Sequence, residues 1–105
     1  MGFTLAEKIL LAHADTDDLA PGDFVTVRCD VVMANDLGGP HAARELVKMG
    51  VEQVFDPAKV VIVADHLVPA KDIRSAELLQ SLKEWCDRQG VVYYDQGRGG
   101  IEHTV

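Results

Sequence analysis

The chain has 105 residues, enough for one small domain with one modest core. Apolar residues make up 48% of it, which predicts a packed fold, yet the apolar runs are only a few residues long and exclude a helix spanning a bilayer. The net charge is −7 and the basic residues are scattered, which disfavours nucleic acid as a partner, because phosphate recognition needs clustered Lys and Arg.

Met1-Gly2-Phe3-Thr4 lacks a basic stretch followed by an apolar core and so does not read as a secretory signal. Ala6 does not suit myristoylation, and the expectation is a cytoplasmic protein. Thr4 and Glu7 form a T-x-x-E capping box for a helix from about Leu5 to His13. Leu5, Ile9 and Ala12 mark its apolar face, with Leu10 beside it. An acidic loop and the Pro21-Gly22 turn come next. Phe24 to Val32 alternates, which predicts a strand with one wetter face. Ala34 to Gly39 reads as a polar loop. Pro40 opens a helix that runs to about Met49, with Ala43, Leu46 and Val47 as its apolar face and Gly50 as its stop.

Val51 to Phe55 reads as a short strand or an extended connection, and Asp56-Pro57 as a turn. Val60 to Ala64 does not alternate, which predicts a central strand covered on both faces. Asp65 to Lys71 is a loop containing Pro69. The longest helix starts near Asp72 or Ser75 and ends before Gly90. Ala76, Leu79, Leu82 and Cys86 recur at helical spacing, with Leu78 and Trp85 alongside. Val91 to Tyr94 is a last buried strand, and Gly97, Gly99 and Gly100 lead to Ile101-Glu102-His103. Alternating strands and helices predict an α/β segment, a layered parallel or mixed sheet with flanking helices, over residues 1–105. The chain stops two residues after His103 without a closing helix, so we expect a piece of a larger protein.

Cys29 and Cys86 have no CxxC spacing and read as two buried, reduced thiols. His66 suits general acid–base work, and Asp65 could fix its tautomer or raise its pKa. Neighbours in a regular strand point to opposite faces, so this pair can cooperate only if the strand has already ended. The alternative is a polar strand end with Asp65 accepting backbone N–H groups, and the residues alone favour it. Asn35 and Asp36 would share the same sheet edge if the strands are parallel, and could bind a substrate hydroxyl or carboxylate or simply make a turn. His103 could be a ligand, a catalyst or a surface residue. Lys71 and Arg74 read as solvated charges more readily than as an anion site.

Several of these segments occur together in a known family. Thr4-Leu5-Ala6-Glu7-Lys8-Ile9-Leu10, Ala34-Asn35-Asp36, Phe55-Asp56-Pro57, Asp65-His66-Leu67-Val68-Pro69-Ala70-Lys71-Asp72 and Gly100-Ile101-Glu102-His103 resemble the large subunits of 3-isopropylmalate dehydratase, in the aconitase superfamily. The motifs are ordered and spaced as in that family over essentially the whole chain. The resemblance implies the amino-terminal part of a hydro-lyase of leucine biosynthesis, which moves a hydroxyl between adjacent carbons of a hydroxy di- or tricarboxylic acid. It implies a [4Fe–4S] cluster in the complete enzyme, with none bound by this segment. Its partners would be the rest of the large subunit and a small subunit that brings the base. Asp65, His66 and His103 would be catalytic, with both imidazoles lining one cleft. Asn35 falls where aconitases carry a longer, carboxylate-binding glutamine, and Asp36 would support the loop. Homoaconitase or another 2-hydroxyacid dehydratase fits the same pattern, and a non-catalytic α/β assembly module is the reading outside enzymes. A receiver domain with Asp65 as phosphoacceptor would need more acids near the first strand than Asp30 and Asp36. In isolation the segment is expected to be inactive.

Overall fold

The computed structural model describes residues 2–105. Its centre is the β-branched run Val60–Val63, strand β2, flanked by β1 (Val32–Asn35) and β3 (Val92–Tyr94) in a parallel sheet of order β1-β2-β3. The register pairs Val32 with Val60 and Asn35 with Val63 on one side, and Val61 with Val92 and Val63 with Tyr94 on the other. Helix α2 (Gly39–Lys48) makes the first crossover and α3 (Ile73–Gln89) the second. This is the expected α/β architecture, with all three strands ending at the same edge.

Strand periodicity puts Val60 and Ile62 on one face, where they pack with Ala43 of α2, Leu82, Trp85 and Cys86 of α3, and Val91. The opposite face carries the cross-strand row Met33, Val61 and Val92, of which Met33 and Val92 are exposed. The covering expected on both faces of the central strand therefore holds at the fully buried Val63 but not along this row. β3, Val92–Tyr94, is correspondingly an edge strand with Val92 exposed, while Val91 just before it is buried in the core.

Each helix is bounded by its own sequence. In α3 the Asp72 carboxylate accepts the Ser75 amide at 2.7 Å, and Gly90 ends the helix in the left-handed region at φ 70°, donating to the Cys86 carbonyl. The buried stripe of α3 runs through Ser75, Leu82, Trp85 and Cys86, so Ala76, one residue around the helix from Ser75, is exposed. Pro40 lies in the first turn of α2, which buries Ala43 but leaves Val47 60% exposed. The segment 51–55 forms no strand and connects to Pro57–Lys59, a 3-10 turn capped by Asp56.

The chain divides into two compact units, one ending at Asp30 and the other spanning Val31–Val105. The first contains α1 (Leu5–His13), closed by the Thr4–Glu7 capping box. None of the helix residues is buried, and Leu5 and Ile9 of the predicted apolar face are exposed. The strand predicted over Phe24–Val32 does not form: Phe24 is fully exposed and the stretch offers only an isolated bridge, Ala14 to Val27. Alternation makes a strand only where a neighbouring ladder receives it, and the ladder of β2 begins at Val32. Cys29, expected in that strand and buried, is exposed, whereas Cys86 is buried as expected. Among the described residues no helix is long and apolar enough to cross a membrane.

Because Leu82 is 1% exposed at the junction of α2, α3 and β2, Leu82→Ala is expected to cost about 2–5 kcal/mol of unfolding free energy. Val47→Ala, at the exposed position, should stay within about 0.5 kcal/mol. Urea unfolding of both variants against the parent chain measures the contrast.

Candidate active site

The carboxyl edge of a parallel sheet is where side chains from successive strands can converge, because each strand ends there and its chain turns outward. Strand β1 delivers Asn35 and Asp36 to this edge, β2 delivers Asp65 and His66, and the segment after β3 delivers Glu102 and His103.

Asp36 is fully buried. One carboxylate oxygen lies 3.0 Å from the His66 amide, and the other accepts the His66 and Leu67 amides at 3.1 and 2.7 Å. Those amides would otherwise be unpaired where β2 runs out. β2 ends at Val63, so Asp65 and His66 are no longer held to opposite faces, and Asp65 Oδ1 meets His66 Nδ1 at 2.6 Å. The second Asp65 oxygen accepts the Glu102 amide at 2.7 Å. Asn35 uses its Oδ1 to accept the Leu37 and Gly38 amides at 3.0 and 2.9 Å, ahead of α2, and donates Nδ2 to Glu102 Oε1 at 3.2 Å. His103 Nε2 lies 3.5 Å from the same Glu102 oxygen, with its own side chain 80% exposed.

The electrostatics derive from these contacts. Hydrogen bonding to Asp65 raises the His66 imidazole above its ordinary value of 6.5 against the opposing effect of burial, and the charges of Asp65, Asp36 and Glu102 add to the rise. Burial is the strongest single influence on Asp65 and pushes its carboxyl up, but the Glu102 amide, the His66 hydrogen bond and the two nearby imidazoles together hold it below its ordinary 3.8. The result is an imidazole whose protonated form is favoured by the carboxylate behind it. Its Nδ1 is occupied and its Nε2 makes no hydrogen bond among the described residues.

An open cleft of about 230 Å³ lies beside Asp65, lined also by Val68, Asp95, Gly97, Gly99 and Ile101. Neither His66 nor His103 lines it. A chain of contacts links the two imidazoles, from His66 through Asp65 and Glu102 to His103. A Cβ on Gly99 would come within 2.9 Å of Tyr94 Cβ, so the glycine loop runs close against the end of β3. Glu102 is the site residue that the sequence analysis did not single out. Its signal there was its place in the Gly100-Ile101-Glu102-His103 motif, next to His103. Lys71 and Arg74 are exposed, as is His41, whose Nδ1 lies 2.6 Å from an Arg44 nitrogen.

Asp36, Asp65 and His66 bring ligand-type atoms within 4.8 Å of one another, but these atoms are engaged by amides and by each other, and we assign no metal to them. A [4Fe–4S] cluster needs several thiolates. Cys86 lies in the core, where burial pushes its thiol up to about 12, and Cys29 is in the other unit. The donors of this chain therefore do not fit an iron–sulfur cluster.

Fold and site together define an α/β protein with a carboxylate-backed imidazole at the carboxyl edge of a parallel sheet. The whole chain aligns with the 3-isopropylmalate dehydratase large subunit 2 of Rubrobacter xylanophilus at 63% identity, covering 25% of that protein. It aligns in full with the large subunits of Desulfitobacterium hafniense at 49% and Aquifex aeolicus at 41% identity, over 25% and 24% of their lengths. No family model matches. Over its whole length the chain is similar to 3-isopropylmalate dehydratase large subunits, and it spans about a quarter of the length of these relatives.

The raised His66 value means that folding favours its protonated form. That contribution to stability is complete below 6.5 and is lost as pH rises through the folded value. The Asp65 contribution has the opposite sense, present above 3.8 and lost as pH falls through its lowered folded value. An NMR titration should place His66 above 6.5 in the parent, and Asp65→Asn should bring it down towards that value.

Proposed function

We propose that this chain supplies the proton-handling wall of a 3-isopropylmalate dehydratase large subunit. The enzyme would be a hydro-lyase that interconverts 2- and 3-isopropylmalate through an alkene in leucine biosynthesis. The observation that carries this reading is the 2.6 Å contact between His66 Nδ1 and Asp65 Oδ1, which leaves Nε2 free to face a substrate.

Hydroxide is a poor leaving group, so cleaving the C–O bond calls for a proton on the departing oxygen. In the proposed step His66 Nε2–H gives that proton to the substrate hydroxyl. The C–O electron pair leaves with the oxygen as water, and a base takes the proton from the neighbouring carbon while its C–H electron pair forms the double bond. In the return step water adds its oxygen to the carbon that lost the proton and gives a proton back to neutral His66. The protonated base delivers its proton to the carbon that lost the hydroxyl, the double-bond electron pair forming that C–H bond. Asp65 keeps Nδ1 protonated throughout and stabilises the imidazolium. Asp36 holds the turn that carries the pair. Asn35 still has one amide hydrogen for a substrate carboxylate after its bond to Glu102, and His103 offers a second imidazole at the same edge.

The base would come from a small subunit. The cluster implied for the complete enzyme would be held by thiolates that these residues do not supply. The substrate is a small hydroxy acid dianion, and its positive counter-charge would come from groups beyond Lys71 and Arg74, which are solvated.

In an assembled large and small subunit, His66→Asn is expected to lower kcat by about 10²–10⁴-fold with a much smaller change in KM. Steady-state kinetics test this, and an unimpaired kcat would remove His66 from the reaction. The 105-residue chain alone should show no turnover and no bound iron. Activity with stoichiometric iron would overturn the division of labour proposed here.

A further inference from the structure

From Gln96 to Val105 every residue is exposed except Glu102. Its neighbours Ile101 and His103 stand out in solvent, while the Glu102 side chain is only 12% exposed. Drawing a carboxylate inward between two exposed neighbours is unfavourable unless it gains partners. Glu102 gains three, from different parts of the site. Its carboxylate accepts Asn35 Nδ2 at 3.2 Å, across 67 residues of sequence. The same oxygen lies 3.5 Å from His103 Nε2. Its amide donates to Asp65 at 2.7 Å, across 37 residues.

We propose that Glu102 is a positioning residue that ties the end of β1, the Asp65–His66 pair and the His103 turn into one arrangement. Its effect on rate rests on the hydro-lyase reading, but the tie itself does not. The glycine loop before it is held by the Arg98 amide on the Asp95 carbonyl and by the approach of Gly99 to Tyr94, but it is the Glu102 carboxylate that joins the Ile101–His103 turn to Asn35, and without it that link is lost. Asn35 in turn loses the acceptor that directs its amide. The groups facing His66 are Asp65, Asp36 and Glu102, so the Glu102 carboxylate also contributes to the potential at that imidazole.

Two substitutions separate geometry from charge. Glu102→Ala removes the side-chain acceptor and keeps the amide. Glu102→Gln keeps an acceptor oxygen and removes the charge. In NMR spectra of the chain, Glu102→Ala should shift the Asn35 side-chain amide resonances while Glu102→Gln largely retains them, and both should lower the His66 titration midpoint. In the assembled enzyme Glu102→Ala should lose about tenfold to a hundredfold in kcat with KM less affected, and Glu102→Gln should recover most of that loss. Parent-like Asn35 amide resonances in a folded Glu102→Ala chain would overturn the proposal whatever the rate. Failure of the hydro-lyase reading has a different signature: His66→Asn would retain turnover while the Asn35 shift in Glu102→Ala persisted, and that shift would still support the tie.

Discussion

The site depends on one buried carboxylate. Asp36 closes off β1 and receives the two amides that come after β2, so two strand ends are held by one side chain with no exposure to water. A carboxylate buried without partners would be strongly unfavourable, and two unpaired amides would each cost about 1–3 kcal/mol. Together they satisfy each other. The consequence is geometric. Ala64 still donates to the Tyr94 carbonyl, the chain then bends at His66 and Leu67, and Asp65 reaches the His66 ring. The most buried acid thus acts on the architecture, and the neighbouring acid acts on the chemistry.

That division also explains the opposing influences on Asp65. Its burial would favour a neutral acid, but it faces an amide on one oxygen and an imidazole on the other. The donors win, and Asp65, first through its hydrogen bond and then through its charge, raises the His66 imidazole above its ordinary value. The two cysteines share in none of this. One is a core side chain of α3 and the other belongs to the separate amino-terminal unit.

The parallel sheet and its two helices were legible because their signals are local: the β-branched run at Val60, Pro40 and Gly50 around α2, and Asp72 and Gly90 around α3. The stretch Phe24–Val32 misled because alternation reports a half-buried surface only when a partner strand exists, and pairing is not local. The same limit applies at the site. Asp65-His66 could be read from adjacency, and the common edge of Asn35, Asp36, Asp65 and His66 from the parallel topology. Glu102 could not, because its hydrogen-bond partners Asn35 and Asp65 lie far away in sequence and its immediate setting is a glycine-rich stretch. The roles given to these side chains came from a resemblance between motifs. Composition and periodicity alone would have left Asp65 as a strand terminus.

Gly97 and Gly99 stand two residues apart in one loop for unrelated reasons. Gly97 has a φ of 78°, a backbone requirement that asparagine can meet with modest strain. Gly99 has no such angle; its constraint is volume, since Tyr94 occupies the space of any side chain. Natural variation should therefore admit asparagine at the first of these positions, while at the second even alanine would require the loop to shift away from the β-carbon of Tyr94.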